Sequence, residues 1–420
     1  TVRSYLRTRT RPVMFQPIYI GYEKLVEGNS YTTELSGQAK KKESLWDLFK
    51  IRKILKKRYG KVHVSFSQPI FLDDMLDHYE PGWRESTLGS EDKPAWLTPL
   101  VNDLGQRIMT GINQATHVNA INLLAVILLT TRKLAMGRDE LLDQLELYLA
   151  MMESCSFSDR VTITQKSPKE IIGYGIELGV IESIENPLGD IIRVTPDQSV
   201  LLTYFRNNIS HMVAVPSLIT SCFLNADALT VKDLKRIALA LYPFLKAEFF
   251  LPWDDGGFLR TVDDCIEWLI KNGLLVAEED GALHKPAGGT TQDLQLRILG
   301  HALLQTFERY YITVAVLAKN GSGKLSRSEL ERLCILTAQR ISQLNEFAAP
   351  EFYDRNQIRQ FITLLRETGV LTTTEDDKLE FNSVIQQINE DSRYILSQEI
   401  RHNIIRVAPQ VLAEDQENDN

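Results

Sequence analysis

Apolar and polar positions follow two different rhythms along this 420-residue chain. The first part reads strand, loop, helix, strand. Its most informative stretch is Arg11-Pro12-Val13-Met14-Phe15-Gln16-Pro17-Ile18-Tyr19-Ile20-Gly21-Tyr22-Glu23. The apolar run Val13 to Ile20 predicts a short buried strand, ending in a Gly turn with an acid just beyond. Apolar residues at helical spacing predict a helix from about Ser44 to Arg58, which Gly60 stops. Val62-His63-Val64-Ser65-Phe66 then alternates as a strand and Pro69 closes it. Two strands joined by a helical crossover fit part of an α/β sheet, and they are too few to complete one.

Residues 80–99 hold Pro81-Gly82, Gly89-Ser90, Pro94 and Pro99 among charges, which predicts a linker over 81–99. Beyond it the rhythm is mainly helical. Three helix starts look alike, at Arg138-Asp139-Glu140-Leu141, Val231-Lys232-Asp233-Leu234 and Arg327-Ser328-Glu329-Leu330. Thr230 and Ser326 precede the last two, each three residues before an acid, as in a capping box. Gly179, Gly273 and Gly369 follow at matching distances, where each can supply the left-handed turn that ends a helix. A hairpin should follow each glycine, with second strands starting near Ile191, Ala282 and Leu379. Helices followed by a β-hairpin are the outline of a winged helix, so three winged-helix-like repeats are expected; three unrelated helix–hairpin units in similar register are the alternative.

The apolar runs Ile121 to Leu129 and Met212 to Leu224 are too short to span a bilayer and predict buried helices. Cys155, Cys222, Cys265 and Cys334 are isolated in sequence, as buried structural thiols in a reducing compartment would be. The net charge of −8 is unevenly spread: residues 1–61 carry +10 and the remainder −18. A basic N-terminal part favours anionic partners such as phosphates or acidic lipid, unless it is simply a solvated face. The tail over 411–420 is polar and acidic and reads as disordered.

Winged-helix units that bind nucleic acid need Lys and Arg at the wing, but these wings carry Glu278-Glu279-Asp280 and Glu375-Asp376-Asp377, which repel phosphate. Gly321-Ser322-Gly323-Lys324 lacks the Ser or Thr that a phosphate loop places after its Lys, so it reads as a helix-capping loop. None of His63, His78, His117, His211, His284, His301 and His402 has an Asp five positions later, and His63 in a strand reads as a core-packing residue or one that makes a structural hydrogen bond. No metal site is expected. On the 44–58 helix Leu45, Leu48, Phe49, Arg52 and Leu55 share one face, with Trp46 at its border and Lys53, Lys56, Lys57 and Arg58 around the rest. That pattern suits an anionic membrane surface, and equally a helix packed on the sheet.

Read together, these residues resemble the bacterial membrane-bound sn-glycerol-3-phosphate 1-O-acyltransferases. Arg11-Pro12 with Gln16-Pro17-Ile18-Tyr19-Ile20-Gly21-Tyr22-Glu23 is similar to that family's fourth sequence block, with Gln16 in place of an apolar residue usual there. Val64-Ser65-Phe66-Ser67-Gln68-Pro69, Trp83-Arg84-Glu85-Ser86 and Pro94-Ala95-Trp96-Leu97-Thr98-Pro99 match in order behind it. Tyr204-Phe205-Arg206-Asn207-Asn208-Ile209 and Ala349-Pro350-Glu351-Phe352-Tyr353-Asp354 extend the likeness over nearly the whole chain.

The resemblance implies acyl transfer from acyl-CoA or acyl carrier protein, as co-substrate and with no cofactor, to the 1-hydroxyl of glycerol 3-phosphate. The product is lysophosphatidic acid, the start of phospholipid synthesis at the cytoplasmic face of the inner membrane, with peripheral attachment. In the family a His-x-x-x-x-Asp block supplies the base and a Glu-Gly-Gly-Arg-Ser block binds phosphate; neither occurs here, so no catalytic residue is expected in this chain. Those blocks would lie upstream, and the chain alone is expected to be inactive. Phe15, Pro17, Ile18 and Tyr19 of the fourth block are the substrate-binding candidates. The expected architecture is the last strands and helix of an α/β acyltransferase domain over 1–80, then a helical domain with small hairpins over 100–410. A non-enzymatic helical-repeat scaffold is the competing class.

Overall fold

The computed structural model describes residues 1–8, 11–25, 59–85, 94–131, 133–195, 198–279, 281–345 and 354–410. The chain opens with helix α1 (Val2–Thr8), then strands β1 (Met14–Phe15), β2 (Ile18–Tyr22), β3 (Val62–Phe66) and β4 (Ile70–Phe71). The expected single strand over 13–20 is therefore two. Pro17 has no N–H to give a ladder, and Gln16 Nε2 reaches across to Ser67 O at 2.7 Å instead. Gly21 does not turn the chain; it lies inside β2, opposite His63. β2 and β3 pair directly and antiparallel, and β1 pairs β4 the same way. A strand–helix–strand crossover would have left its strands parallel. Burial in β2 alternates: Tyr19 and Gly21 are buried while Ile18, Ile20 and Tyr22 face outward. The helix expected over 44–58 lies outside the described residues.

Helices α2 (Leu72–Tyr79) and α3 (Leu97–Gln114) come next. Trp83, within the stretch read as linker, is buried against Tyr5, Leu72, Leu76 and Leu100 in a small core, and its indole N–H donates to Asp77 at 2.8 Å. Strand β5 (His117–Val118) leads into α4 (Ala120–Leu128), every residue of which is buried. Asn119 caps α4 and exchanges hydrogen bonds with Asn122 at 3.0 Å in both directions.

The remainder is mostly helical with small sheets. Its elements are β6 (Ala135–Gly137), α5 (Arg138–Ser154), β7 (Thr162–Ile163), α6 (Pro168–Glu177), β8 (Ile181–Ile184) and β9 (Ile191–Val194). They continue as α7 (Ser199–Asn207), α8 (Ser210–Ser221), β10 (Ala228–Thr230), α9 (Val231–Phe249), α10 (Asp255–Lys271), β11 (Val276–Ala277) and β12 (Ala282–His284). The chain closes with α11 (Thr291–His301), α12 (Leu304–Asn320), α13 (Arg327–Asn345), α14 (Arg355–Glu367), β13 (Leu371–Thr373), β14 (Leu379–Phe381), α15 (Ser383–Ile395) and α16 (Gln398–Val407).

One connection recurs in this part. A short strand leads into a helix, a second helix ends at a glycine, and a hairpin follows whose last strand pairs back to the first. The sheet orders are β6-β9-β8 and β10-β12-β11; in the third unit a single bridge from Ser326 to Lys378 stands for the first strand beside β14. Gly179, Gly273 and Gly369 have φ of 68°, 72° and 70°, the left-handed turn that a side chain would oppose. Thr230 Oγ accepts from Asp233 N at 3.1 Å and Ser326 Oγ from Glu329 N at 3.3 Å, fixing two of the helix starts. One large apolar core runs through all three units. Helix α8, with Pro216 inside it, is buried on every side. No helix among the described residues is long and apolar enough to cross a membrane.

Candidate functional site

The fourth-block strand sits on the helical part through its inward side chains. Pro17 presses on α3 at Gly111, where a Cβ would come within 2.9 Å of the proline ring. Tyr19 donates its hydroxyl to His117 O at 3.2 Å, and burial pushes its pKa up. Asn119 Nδ2 holds Tyr22 O at 3.2 Å, and Lys24 Nζ holds Leu178 O at 2.6 Å. Backbone and side-chain bonds thus fix the ribbon's register against β5, α4 and α6.

Glu23 lies at the centre of this seam and is buried. One carboxylate oxygen accepts from the Lys61 backbone N–H and from the Tyr174 hydroxyl. The other is 3.8 Å from His63 Nε2. The His63 ring stacks on His117 with centroids 3.6 Å apart. His117 Nδ1 in turn meets Thr162 Oγ1 at 2.7 Å. Burial, then the neighbouring His63, lowers the His117 pKa to about 4, so its ring is neutral at pH 7. Lys166 lies over the Tyr174 ring at 4.5 Å. Gly60 admits the close approach of Glu23 and Tyr174 because it has no side chain, and its φ of 71° suits glycine.

A carboxylate beside an imidazole can orient a ring for proton transfer. Here the carboxylate is engaged by two other donors and the ring is covered by a second histidine. The arrangement joins ribbon and helices through a polar, half-buried seam. Among the described residues no three His, Cys, Asp or Glu side chains converge as a metal ion would require.

The substrate candidates do not share one surface. Pro17 and Tyr19 face inward on the seam, Phe15 packs beside the small core, and Ile18 alone is exposed on the opposite face. Trp46, Lys53, Lys56, Lys57 and Arg58 lie outside the described residues. Spacing along the chain did not reveal the Glu23–His63 pair. The usable signal was the strand pattern itself, since a register that sets His63 opposite Gly21 brings it beside Glu23.

Comparison with known proteins gives one consistent result. The family described as the glycerol-3-phosphate acyltransferase C-terminal region matches residues 31–374. A glycerol-3-phosphate acyltransferase of Xanthomonas campestris pv. campestris is 45% identical over 99% of this chain and 47% of its own length. Proteins of the same name from Xylella fastidiosa (strain M12) and Ectopseudomonas mendocina are 44% and 38% identical, over 98% and 97% of this chain. This chain covers 48% and 49% of those two, so it spans about half the length of the curated relatives it matches. The chain belongs to the glycerol-3-phosphate acyltransferase C-terminal region family.

Proposed function

We propose that this chain serves glycerol-3-phosphate acyl transfer. A fatty acyl group moves from acyl-CoA or acyl carrier protein to the 1-hydroxyl of sn-glycerol 3-phosphate. The hydroxyl oxygen attacks the thioester carbonyl, its proton passes to a base, the C–S bond breaks and the thiol leaves. Identity of 45% over 99% of the chain to a relative named for this activity is the observation that carries the reading.

The division of labour follows from what this sequence lacks. It holds neither the His-x-x-x-x-Asp block nor the Glu-Gly-Gly-Arg-Ser block. On this reading the base and the phosphate site are supplied from outside this chain, as the family resemblance implies. The ribbon of β1 to β4 is read as the last strands of an α/β acyltransferase domain, and the three strand–helix–helix–hairpin units as winged-helix-like repeats that support it. Phe15, Pro17, Ile18 and Tyr19 shape the acyl or substrate pocket through the ribbon they build, Ile18 on the face that meets the other half and Pro17 and Tyr19 on the seam. Trp46, Lys53, Lys56, Lys57 and Arg58 meet an anionic membrane surface, at the cytoplasmic side of the inner membrane. No nucleic acid and no cofactor take part.

The test compares two proteins in lipid vesicles with radiolabelled acyl-CoA and glycerol 3-phosphate. One is this chain alone. The other is a chimera in which it replaces the matching half of the Xanthomonas campestris relative. Labelled lysophosphatidic acid from the chimera and none from the chain alone is the expected result. No product from a folded chimera would favour the scaffold reading.

A further inference from the structure

The outward face of the ribbon is almost wholly apolar. The register pairs Ile18 with Phe66, Ile20 with Val64 and Tyr22 with Val62, so all six side chains stand on one side of β2 and β3. Each is between 37% and 59% exposed. Met14 and Phe71, paired in β1 and β4, add two more exposed apolar side chains. The opposite face is the seam, occupied by Tyr19, Glu23 and His63. A two-stranded ribbon is marginal in water, and a contiguous apolar face of this kind marks an interaction surface. Each strand also pairs on one side only among the described residues, which leaves two open edges.

We infer that this face is the seat of the half of the acyltransferase that the chain does not match, covered by apolar side chains of that polypeptide. The inference rests on the acyltransferase reading. Three observations select this occupant. The relatives carry about as much chain again as is matched here. The face is β-ribbon with no charged residue among its three outward cross-strand pairs, as suits the apolar stripe of an amphipathic helix. The seam behind it is already closed by hydrogen bonds to the helical part, so the ribbon presents its remaining side to a second body. The ribbon is then a shared layer, with helical supports on one face and the catalytic half on the other.

The experiment places a reporter on the face. Val64→Cys is made in this chain and in the chimera with the Xanthomonas campestris relative. Maleimide labelling of the peptide holding residue 64 is followed by mass spectrometry. Cys222 and Cys334, both fully buried, report folding by staying unlabelled. The expected result is labelling at least ~10-fold slower in the chimera than in the chain alone. Slow labelling already in the chain alone would mean that the chain covers its own face, and would overturn the inference. So would equal fast labelling in both, protection that appears only on adding anionic vesicles, or protection of the chain alone that rises with its own concentration. A protected chimera without acyl transfer would refute the activity and keep the docking. An active chimera with an unprotected residue 64 would do the reverse.

Discussion

His63 and His117 stack face to face, with ring centroids 3.6 Å apart, although one belongs to the N-terminal ribbon and the other to the strand that leads into α4. Two charged rings at that distance would repel. Burial holds His117 near pKa 4, against an ordinary 6.5, with His63 and Lys61 acting in the same direction and Glu23 opposing them. Between pH 6.5 and 4 the unfolded chain therefore binds more protons than the folded one at this site. The contribution is complete above 6.5 and is lost as pH falls towards 4. Thermal unfolding at pH 7 and pH 5 should show a larger loss of Tm for the wild type than for His117→Asn. Parallel losses would show that His117 does not titrate this way.

Glu23 should act as the clasp of the same seam. Its carboxylate accepts from the Lys61 N–H and the Tyr174 hydroxyl, and is buried. Glu23→Ala leaves both donors without their acceptor, at a cost of about 1–3 kcal/mol. Tyr174→Phe should cost about 1 kcal/mol. The double variant should lose less than the sum of the two, as measured by urea unfolding, because the two changes remove one shared bond. Strict additivity would mean that the bond contributes nothing.

Gly111 is the point where the ribbon touches α3. A Cβ there would sit 2.9 Å from the ring of Pro17 and 3.3 Å from Ser67 Oγ. Gly111→Ala should therefore destabilise by about 1–3 kcal/mol through overpacking, although alanine favours a helix interior. Gly105 lies on the same helix with open space around it. Gly105→Ala should be neutral or stabilising by up to ~1 kcal/mol in the same denaturation series.

Glu308 on α12 is buried, and one carboxylate oxygen has no hydrogen-bond partner. Burial raises its pKa to about 8, so the folded protein keeps the acid protonated at neutral pH. The sign is opposite to that of His117: stability is full below the unfolded pKa of 4.5 and falls as pH rises towards 8. Glu308→Gln, neutral at every pH, should be more stable than the wild type at pH 8 and close to it at pH 4.5. Tm values at the two pH extremes check this, and an unchanged gap would contradict it.

The local signals in the sequence were strong where one residue type decides the geometry. Gly179, Gly273 and Gly369 each end a helix in the left-handed turn, and the second hairpin strands begin at Ile191, Ala282 and Leu379. Ile121 to Leu129 and Met212 to Leu224 mark buried helices because neither run holds a charged residue. The ribbon was harder to read. Apolar residues on both faces of 13–20 resemble a strand covered on both sides, whereas the structure covers one. Such a sequence suits a strand whose second face meets another body. The seam was illegible because Glu23 meets partners as far away as Tyr174, 151 residues on, and only the packing of ribbon against helices brings them together.

The most direct measurement is the initial rate of acyl transfer to glycerol 3-phosphate by the chimera, set against the intact Xanthomonas campestris relative in the same vesicles. If this chain is the working C-terminal half of such an enzyme, the chimera should retain a rate within about 10-fold of the relative's, a loss of no more than ~1.4 kcal/mol in the barrier. A chimera that folds, keeps Cys222 and Cys334 protected and still transfers no acyl group would contradict the account.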